Sequence, residues 1–351
     1  MVLNVKDFEA TGDGITDDST AIQYTINAAH TQNRGTVYFP AGTYLLGDSL
    51  VLYNNLILRG EAKNTVTLTL ADNFYGTHIS ATDVSDVAIK DLTFTGPGID
   101  ANGGGGVFFS LQNSSNTSGL NFENILIQDC AGTGLQIACP IVSSFTNVTV
   151  LGCAGDAFNF YGGGTSCVLN SCYAITCTGV GYRLNQMNYM VLNGCAVEVC
   201  GIGIYLQNNC NNVSLISCGA EDNIFRSTDY PGIDYQLDGG VGNVLISCYS
   251  RNEVATGIQL NGGNPTIIGY RQLGSATNGI IGDRNVHGAL LENISVSSPI
   301  TMAAGTVGQS GATSEQPITN LYAGYHYYDT TLNQPIWYDG ADWRNAFGTI
   351  M

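Results

Sequence analysis

Cysteine returns to the same two slots through the middle of this chain. One column is Cys172, Cys195, Cys218 and Cys248; the other is Cys130, Cys153, Cys177 and Cys200. The steps are 23 or 24 residues, with a single step of 30. A fixed period near 23 with one residue type in one slot marks a stacked solenoid, in which each repeat buries its apolar face against its neighbours. This period decides which side chains share a face before any chemistry is considered.

The coils are clearest at 155–177, 179–200 and 201–218. Each opens with Gly or Asp before a short alternating strand, turns at Gly or Asn, and runs a second strand into a Ser-Cys or Gly-Cys step. A third short strand closes it. Three short strands per repeat predict an all-β, single-stranded right-handed parallel β-helix over 61–300. Residues 1–60 differ. Thr16-Asp17-Asp18-Ser19 supplies N-cap oxygens, and Ile22, Ile26 and Ala29 follow at helical spacing, which predicts one amphipathic helix over 18–30. Strands follow at 36–39 and 43–46 around Pro40-Ala41-Gly42. This segment reads as a cap, because an open coil exposes core and strand edges. Residues 301–351 break the period and hold both tryptophans. They read as a small β-hairpin module for trimerisation or glycan binding, with turns at Asp329-Thr330 and Asp339-Gly340.

Composition agrees with a β-rich surface. The 351 residues include 45 Gly and 19 Tyr, and only 11% are charged. The net charge of −17 repels phosphate backbones, so nucleic acid is not an expected partner. The acidity itself reads as solubility for a long β protein. The apolar runs are strand-sized, so no membrane insertion is expected, and no charged-then-apolar leader is visible at the N-terminus. Eleven cysteines without a CxxC pair read as buried thiols rather than bridges or a zinc site.

Alternation along the opening strands assigns faces. Inward pairs are Leu135/Ile137, Phe158/Phe160, Tyr182/Leu184, Ile204/Leu206, Ile233/Tyr235 and Ile258/Leu260. Gln136, Asn159, Arg183, Tyr205, Asp234 and Gln259 then point outward, followed by Ala138, Tyr161, Asn185, Gln207, Gln236 and Asn261. Amides and tyrosines suit sugar hydroxyls and sugar faces, although Asn and Gln ladders also simply finish a sheet surface. The 30-residue step comes from a longer turn between Asp222 and Gly232. Such an insertion on a regular scaffold reads as a groove wall beside Tyr205 and Asp234.

The runs VKDFEATGDGITDDSTAIQYTINAA (5–29), GTVYFPAGTYLL (35–46) and LILRGE (56–61) resemble the cap and first coil of the pectate-lyase-like β-helix superfamily. The C-terminal run GYHYYDTTLNQPIWYDGADWRNAFG (324–348) resembles a terminal module of bacteriophage tailspike-type proteins. Together these resemblances imply a tailspike-like polysaccharide depolymerase, a homotrimer on a virion or outside the cell. They imply a glycoside hydrolase or lyase; no cofactor is expected, with calcium an option for a lyase. The alternatives are a non-catalytic receptor-binding tail protein and a structural spike. Polygalacturonases of the superfamily carry acids before the opening strand and a Gly-His-Gly one coil on. Asp156 stands at one such place, but Gly179-Val180-Gly181 lacks the histidine and Gly132-Thr133-Gly134 lacks another acid.

The coil register offers two catalytic clusters. Glu198 and Glu221 occupy equal positions after their cysteines, and Arg251 takes the next. One coil apart, the two glutamates fall near the about 5–5.5 Å of a retaining pair. The other reading is a surface charge ladder. The second cluster is Asp222, Asp229 and Asp234 with Arg183, Arg226 and Tyr205. It allows acid–base hydrolysis, a β-elimination using Arg183 or Tyr205, or binding alone. Asp156 and Asp234 share a face but lie about 14 Å apart, too far for a pair. Tyr161, Gln207, Gln236 and Gln259 complete the expected substrate contacts. Sequons at Asn113, Asn116, Asn147, Asn212 and Asn293 read as chance, Gly103–Gly106 as a plain loop, and His287 near Asp283 as a surface histidine.

Overall fold

The computed structural model describes all residues except 33–34, 73, 101–103, 111–116, 252–255, 284–285, 287–288, 299, 303–308, 317–324 and 346–347. His287, Asn113, Asn116 and Gly103 therefore lie outside the described residues. The chain winds into a parallel β-solenoid with three ladders of strands. The first ladder stacks eleven strands, from Leu50–Val51 through Val180–Asn185 and Ile202–Gln207 to Ile300–Met302. The second and third ladders are joined in one large sheet. In the second, Val168–Asn170, Val191–Asn193 and Ser214–Ile216 stack; in the third, Tyr173–Ile175, Ala196–Glu198 and Gly219–Glu221 do.

The Ser-Cys and Gly-Cys steps are the corners between these two ladders. Ser171, Gly194, Ser217 and Ser247 each hold φ between 51° and 58°. A single left-handed residue turns the strand direction, and a small side chain limits the steric cost of that conformation. In longer-stranded coils the same corner is Asp91, Asn124 and Asn147. There the amides bond upward, with Asn147 Nδ2 donating to Asn124 Oδ1 at 2.8 Å and Asn124 Nδ2 to Asp91 Oδ1 at 3.0 Å. Asn147 is thus a sequon residue with a structural role. The cysteine after each corner points inward, and ten of the eleven free thiols are buried. Each thiol of the Cys172 column reaches a carbonyl of the preceding coil, as Cys218 Sγ does to Leu192 O at 3.4 Å.

The core alternates as expected in most coils. Leu135, Ile137, Phe158, Phe160, Tyr182, Leu184, Ile204 and Leu206 are fully buried. Phe122 and Phe145 stack at 5.2 Å, and Phe158 and Tyr182 at 4.7 Å. The helix, α1 (Ser19–Thr31), packs Ile22, Ile26 and Ala29 into the end of the solenoid. Its start differs from the simple cap. Asp18 makes no side-chain cap bond; it turns back to accept from Thr11 N at 2.6 Å and Gly12 N at 2.9 Å. Asp17 accepts from Ser19 N at 2.9 Å instead.

The C-terminal strands Gln309–Gly311, Tyr325–Asp329, Gln334–Tyr338 and Trp343–Asn345 form a separate, mainly antiparallel sheet. Tyr327, Ile336 and Trp343 make its core. Asp329 and Asp339 cap the two turns by accepting from Leu332 N at 2.9 Å and Asp342 N at 2.7 Å. Among the described residues, no helix is long and apolar enough to cross a membrane.

One interior group makes stability depend on pH. His78 is fully buried against Phe94, donating from Nε2 to Thr95 O at 2.9 Å and accepting at Nδ1 from Gly106 N at 3.1 Å. Burial dominates and lowers its pKa from 6.5 to about 4, against the two backbone bonds. The unfolded chain therefore takes up this proton first as pH falls. The stabilisation is complete above pH 6.5 and is lost progressively down to about pH 4, by about 3 kcal/mol in all. Urea midpoints across this range should fall with pH, and the His78 imidazole should titrate near pH 4 by NMR; a midpoint near 6.5 in the folded protein contradicts the assignment.

Candidate functional site

Strand register on the first ladder decides which outward side chains meet. Asn159 pairs with Arg183, Arg183 with Tyr205, Tyr205 with Gln236, and Gln236 with Gln259. The adjacent column brings Asp238 and Asn261 beside Gln207 on successive coils.

This register corrects both expected outward columns at one coil: Gln236, not Asp234, stands beside Tyr205, and Asp238, not Gln236, continues the Gln207 column. Asp234 does not stand beside Tyr205; it occupies the inward slot held on the previous coil by Gly203 and is fully buried. Inward partners are Tyr235 and Leu237, whereas Ile233 points outward, into a small apolar cluster with Val180 and Ile202. The glycines Gly201 and Gly232 align, and reading both coils from them gives Gly-Ile-Gly-Ile-Tyr-Leu-Gln against Gly-Ile-Asp-Tyr-Gln-Leu-Asp. That alignment is the signal that places Asp238, missed above, in the groove.

Asp234 belongs to a polar network in the core. Asn223 follows Cys200 by one coil in the thiol column and takes that slot. Its Oδ1 accepts from Cys200 N at 3.0 Å, and its Nδ2 donates to Asp234 Oδ1 at 2.8 Å. Ser250 donates to the other carboxylate oxygen. Asp222 is the corner residue just before this, with φ 50°. Both acids are thus accounted for by the turn of the solenoid and its interior, away from the groove.

On the surface, a continuous chain of polar contacts runs along the groove. Asp156, 7% exposed, accepts from Val180 N at 2.8 Å and from Arg183 Nε at 2.6 Å and Nη2 at 3.1 Å. The bidentate pairing fixes the guanidinium plane. Burial works against the charge of Arg183, but Asp156 outweighs it and raises the pKa. Nη1 reaches Gln207 Oε1 at 3.3 Å, and the guanidinium lies 5.6 Å over the Tyr205 ring. Tyr205 donates its hydroxyl to Asp238 Oδ2. Asp238 Oδ1 also accepts from Asn261 at 2.7 Å and Gln236 at 3.1 Å, while Gln259 donates to Asn261 at 3.0 Å. Burial first, then the Asp238 carboxylate, push the Tyr205 phenol far above 10. Tyr205 therefore stays protonated. A 740 Å³ cavity opens beside Asp238, lined also by Asn209, Asn211, Gly239 and Asn261.

The long turn forms a wall on the other side. Phe225–Ser227 and Tyr230–Pro231 pair as an antiparallel hairpin, and Tyr230 packs with Tyr205 on the Val180, Ile202 and Ile233 cluster. Arg226 on this hairpin donates to Val199 O at 3.4 Å, and Asp229 sits exposed at its tip. Tyr161 lies at the groove's lower end, one residue beyond Phe160.

Glu198 and Glu221 are paired one coil apart, and Arg251 follows, as their spacing predicts. They lie on the third ladder, on a different face from Arg183 and Tyr205. Burial and the Glu198 carboxylate beside it raise the Tyr173 phenol pKa. Among the described residues no three metal-ligating side chains converge.

Removing the buried Asp234 should destabilise the fold more than removing the groove carboxylate Asp238. Asp234→Ala strands Asn223 and Ser250 in the core and should lower the unfolding free energy by about 2–4 kcal/mol. Asp238→Ala, half-buried at the surface, should cost under about 1 kcal/mol. Urea denaturation of both variants tests this, and equal losses would overturn the assignment of Asp234 to the core.

The geometry has counterparts. The family profile described as rhamnogalacturonase A/epimerase, pectate lyase-like, matches residues 2–225. Alginate lyase 7 of Azotobacter vinelandii is 39% identical over 109 residues, 27% of this chain. The chain spans only 13% of that relative's length. The solved structure of ORF18 from Geobacillus virus E2 aligns over 100% of this chain and 85% of its own, with a TM-score of 0.64 and 15% identity. The enzymatically active domain of tailspike protein 2 from bacteriophage CBA120 aligns over 92% of this chain and 54% of its own, with a TM-score of 0.56 and 12% identity. At these identities the two structures share the fold.

Proposed function

The chain belongs to the rhamnogalacturonase A/epimerase, pectate lyase-like family, and on that premise we propose that it acts on a uronate-bearing polysaccharide in the first-ladder groove. The observation that carries this reading is the Tyr205–Asp238 hydrogen bond at the mouth of the cavity, with Arg183 held over the Tyr205 ring. The alginate lyase relative supports a uronate as the substrate class. A uronate carboxylate placed against Arg183 gains a charge-assisted partner, and charge developing on it during removal of the neighbouring C5 proton is stabilised there. Tyr205 is a protonated phenol with a carboxylate on its hydroxyl. The C5 proton passes to the Tyr205 oxygen as the phenol proton passes to Asp238. The C–H electron pair moves into the substrate carboxylate as an enediolate. Collapse of that enediolate expels the O4 leaving group and forms a C4=C5 double bond; the departing oxygen takes a proton from Tyr205 as Asp238 returns its proton to the phenol. Return of the proton by Tyr205 to the same face of C5 re-forms the substrate, whereas protonation of the opposite face by water from the open groove gives the epimer. The net negative charge of the protein does not forbid a polyanion, because at physiological salt charges beyond about 8 Å are screened and Arg183 and Arg226 flank the groove.

A second reading rests on the Glu198–Glu221 pairing, whose spacing suits a retaining hydrolase. One assay separates the two. Alginate and polygalacturonate are incubated with the protein, and both ultraviolet absorbance from unsaturated uronate and new reducing ends are followed. We expect Tyr205→Phe and Asp238→Asn each to lower kcat by about 100-fold or more, with Glu221→Gln near wild type. Full activity in the groove variants with loss in Glu221→Gln moves the chemistry to the third ladder. Binding without turnover favours a receptor-binding protein, and neither favours a spike.

We also propose that the protein acts outside the cell or on a virion as a homotrimer, a reading supported by its likeness in fold to the tailspike domain. Sedimentation at micromolar concentration should give three times the chain mass, and a monomer there overturns it.

A further inference from the structure

The groove does not end at Asp156. Its outward column continues toward the N-terminus through Gln136 and Phe108 to Ser80 and Val51. There a second cavity of about 400 Å³ opens, lined by His30, Val51, Tyr53, Asn54, Ser80 and Thr82. We propose that this cavity is a second glycan subsite, which binds a sugar ring of the same polysaccharide on the His30–Tyr53 aromatic face. The proposal rests on the uronate-polysaccharide reading above.

Three observations carry it. First, His30 and Tyr53 stack at 4.2 Å between centroids with 20° between planes. His30 is exposed and Tyr53 half-buried, so the stack seals the end of α1 and still presents ring surface to the cavity. Second, the cavity is chemically two-sided. Val51, 45% exposed, and the rings supply an apolar face, while Ser80, Thr82, Asn54 and Asp83 supply hydroxyls, an amide and a carboxylate. A pyranose has the same division, with C–H faces and hydroxyl edges. Third, the site is rigid. Gln23 on α1 accepts from Val51 N at 2.8 Å and donates to Val51 O at 3.0 Å, locking the helix to the strand, and Thr82 Oγ1 meets Ser110 Oγ at 3.0 Å. A preformed site loses little freedom on binding.

Register gives the spacing. Ser80 and Arg183 are four coils apart on the same column, about 19 Å at ~4.8 Å per coil. A polymer reaches both sites, whereas a trisaccharide held at Arg183 does not reach Tyr53. The subsite therefore predicts a chain-length effect that damage to the fold would not produce.

The test compares KM and kcat on polymer and trisaccharide from whichever of alginate or polygalacturonate the wild type turns over. We expect Tyr53→Ala and His30→Ala to raise polymer KM by up to about 10-fold, with kcat and trisaccharide KM unchanged, and Tyr53→Phe to match wild type. Because Tyr53 also touches the core, thermal unfolding is recorded, and exposed His30→Ala decides if Tyr53→Ala does not fold. Unchanged polymer KM, or equal rises for polymer and trisaccharide, overturns the subsite. If polymer binds without turnover, the proposed chemistry at Tyr205 fails while polymer Kd of the same variants still decides the subsite. If neither glycan binds, both fail together.

Discussion

Everything in this molecule depends on coil-to-coil register. Parallel backbone hydrogen bonds connect each coil to the next, and one residue of slip would carry a strand's entire side-chain set to the opposite face. The register is held at the corners. Ser171, Gly194, Ser217 and Ser247 take the same left-handed conformation in succession, so each strand ends at the same height as the one below. A thiol follows each corner into the core because a small, soft side chain fits where two ladders converge. The periodic cysteines are thus a consequence of the corner rather than a cause of stability in themselves.

That constraint explains how the groove is assembled. Arg183, Tyr205 and Gln236 come from three separate coils, yet they meet because each occupies the same outward rung. A solenoid converts sequence spacing into adjacency at about 4.8 Å per coil. It therefore builds an extended polar floor suited to a linear polymer, and it does so with few charges. One bidentate pair, Asp156 with Arg183, orients the floor cation, and Asp238 accepts from the phenol beside it. These are short-range effects that work inside a protein of strongly negative net charge, where a long-range field would oppose the proposed anionic substrate.

The architecture was legible in the sequence because it rests on repetition. The thiol period located the coils, the alternation in 135–137, 158–160, 182–184 and 204–206 located the core, and the equal spacing after Cys195 and Cys218 placed Glu198 beside Glu221. The groove was legible only as far as the repeat is uniform. Arg183, Tyr205 and Gln207 were placed correctly. Asp234 and Asp238 were not, because the coil carrying them follows the inserted hairpin. Matching its two apolar residues Ile233 and Tyr235 to Ile204 and Leu206 seemed to preserve alternation, and alternation cannot distinguish a shift of two residues. Register in that coil is set instead by Gly232, whose N–H bonds Gly201 O at 2.8 Å.

The hairpin also explains why a carboxylate sits in the core at all. Where other coils carry a thiol after the corner and a glycine at the start of the opening strand, this one carries Asn223 and Asp234. The hairpin leaves the solenoid after Ile224 and returns at Gly232, whose N–H groups still bond Cys200 O at 2.9 Å and Gly201 O at 2.8 Å, so Asn223 and Asp234 bracket the detour. Asn223 supplies an acceptor to Cys200 N and a donor to Asp234, and Ser250 on the following coil completes the carboxylate. A satisfied polar network costs little in an interior where an unsatisfied one would cost about 1–3 kcal/mol per group. It ties the departure and return points of the hairpin together beneath the groove. The strand Ile233–Leu237 leads directly from this tie to Asp238. The wall that shapes the groove and the carboxylate that serves it are therefore held by the same buried contact, and the irregular coil is where structure and chemistry meet.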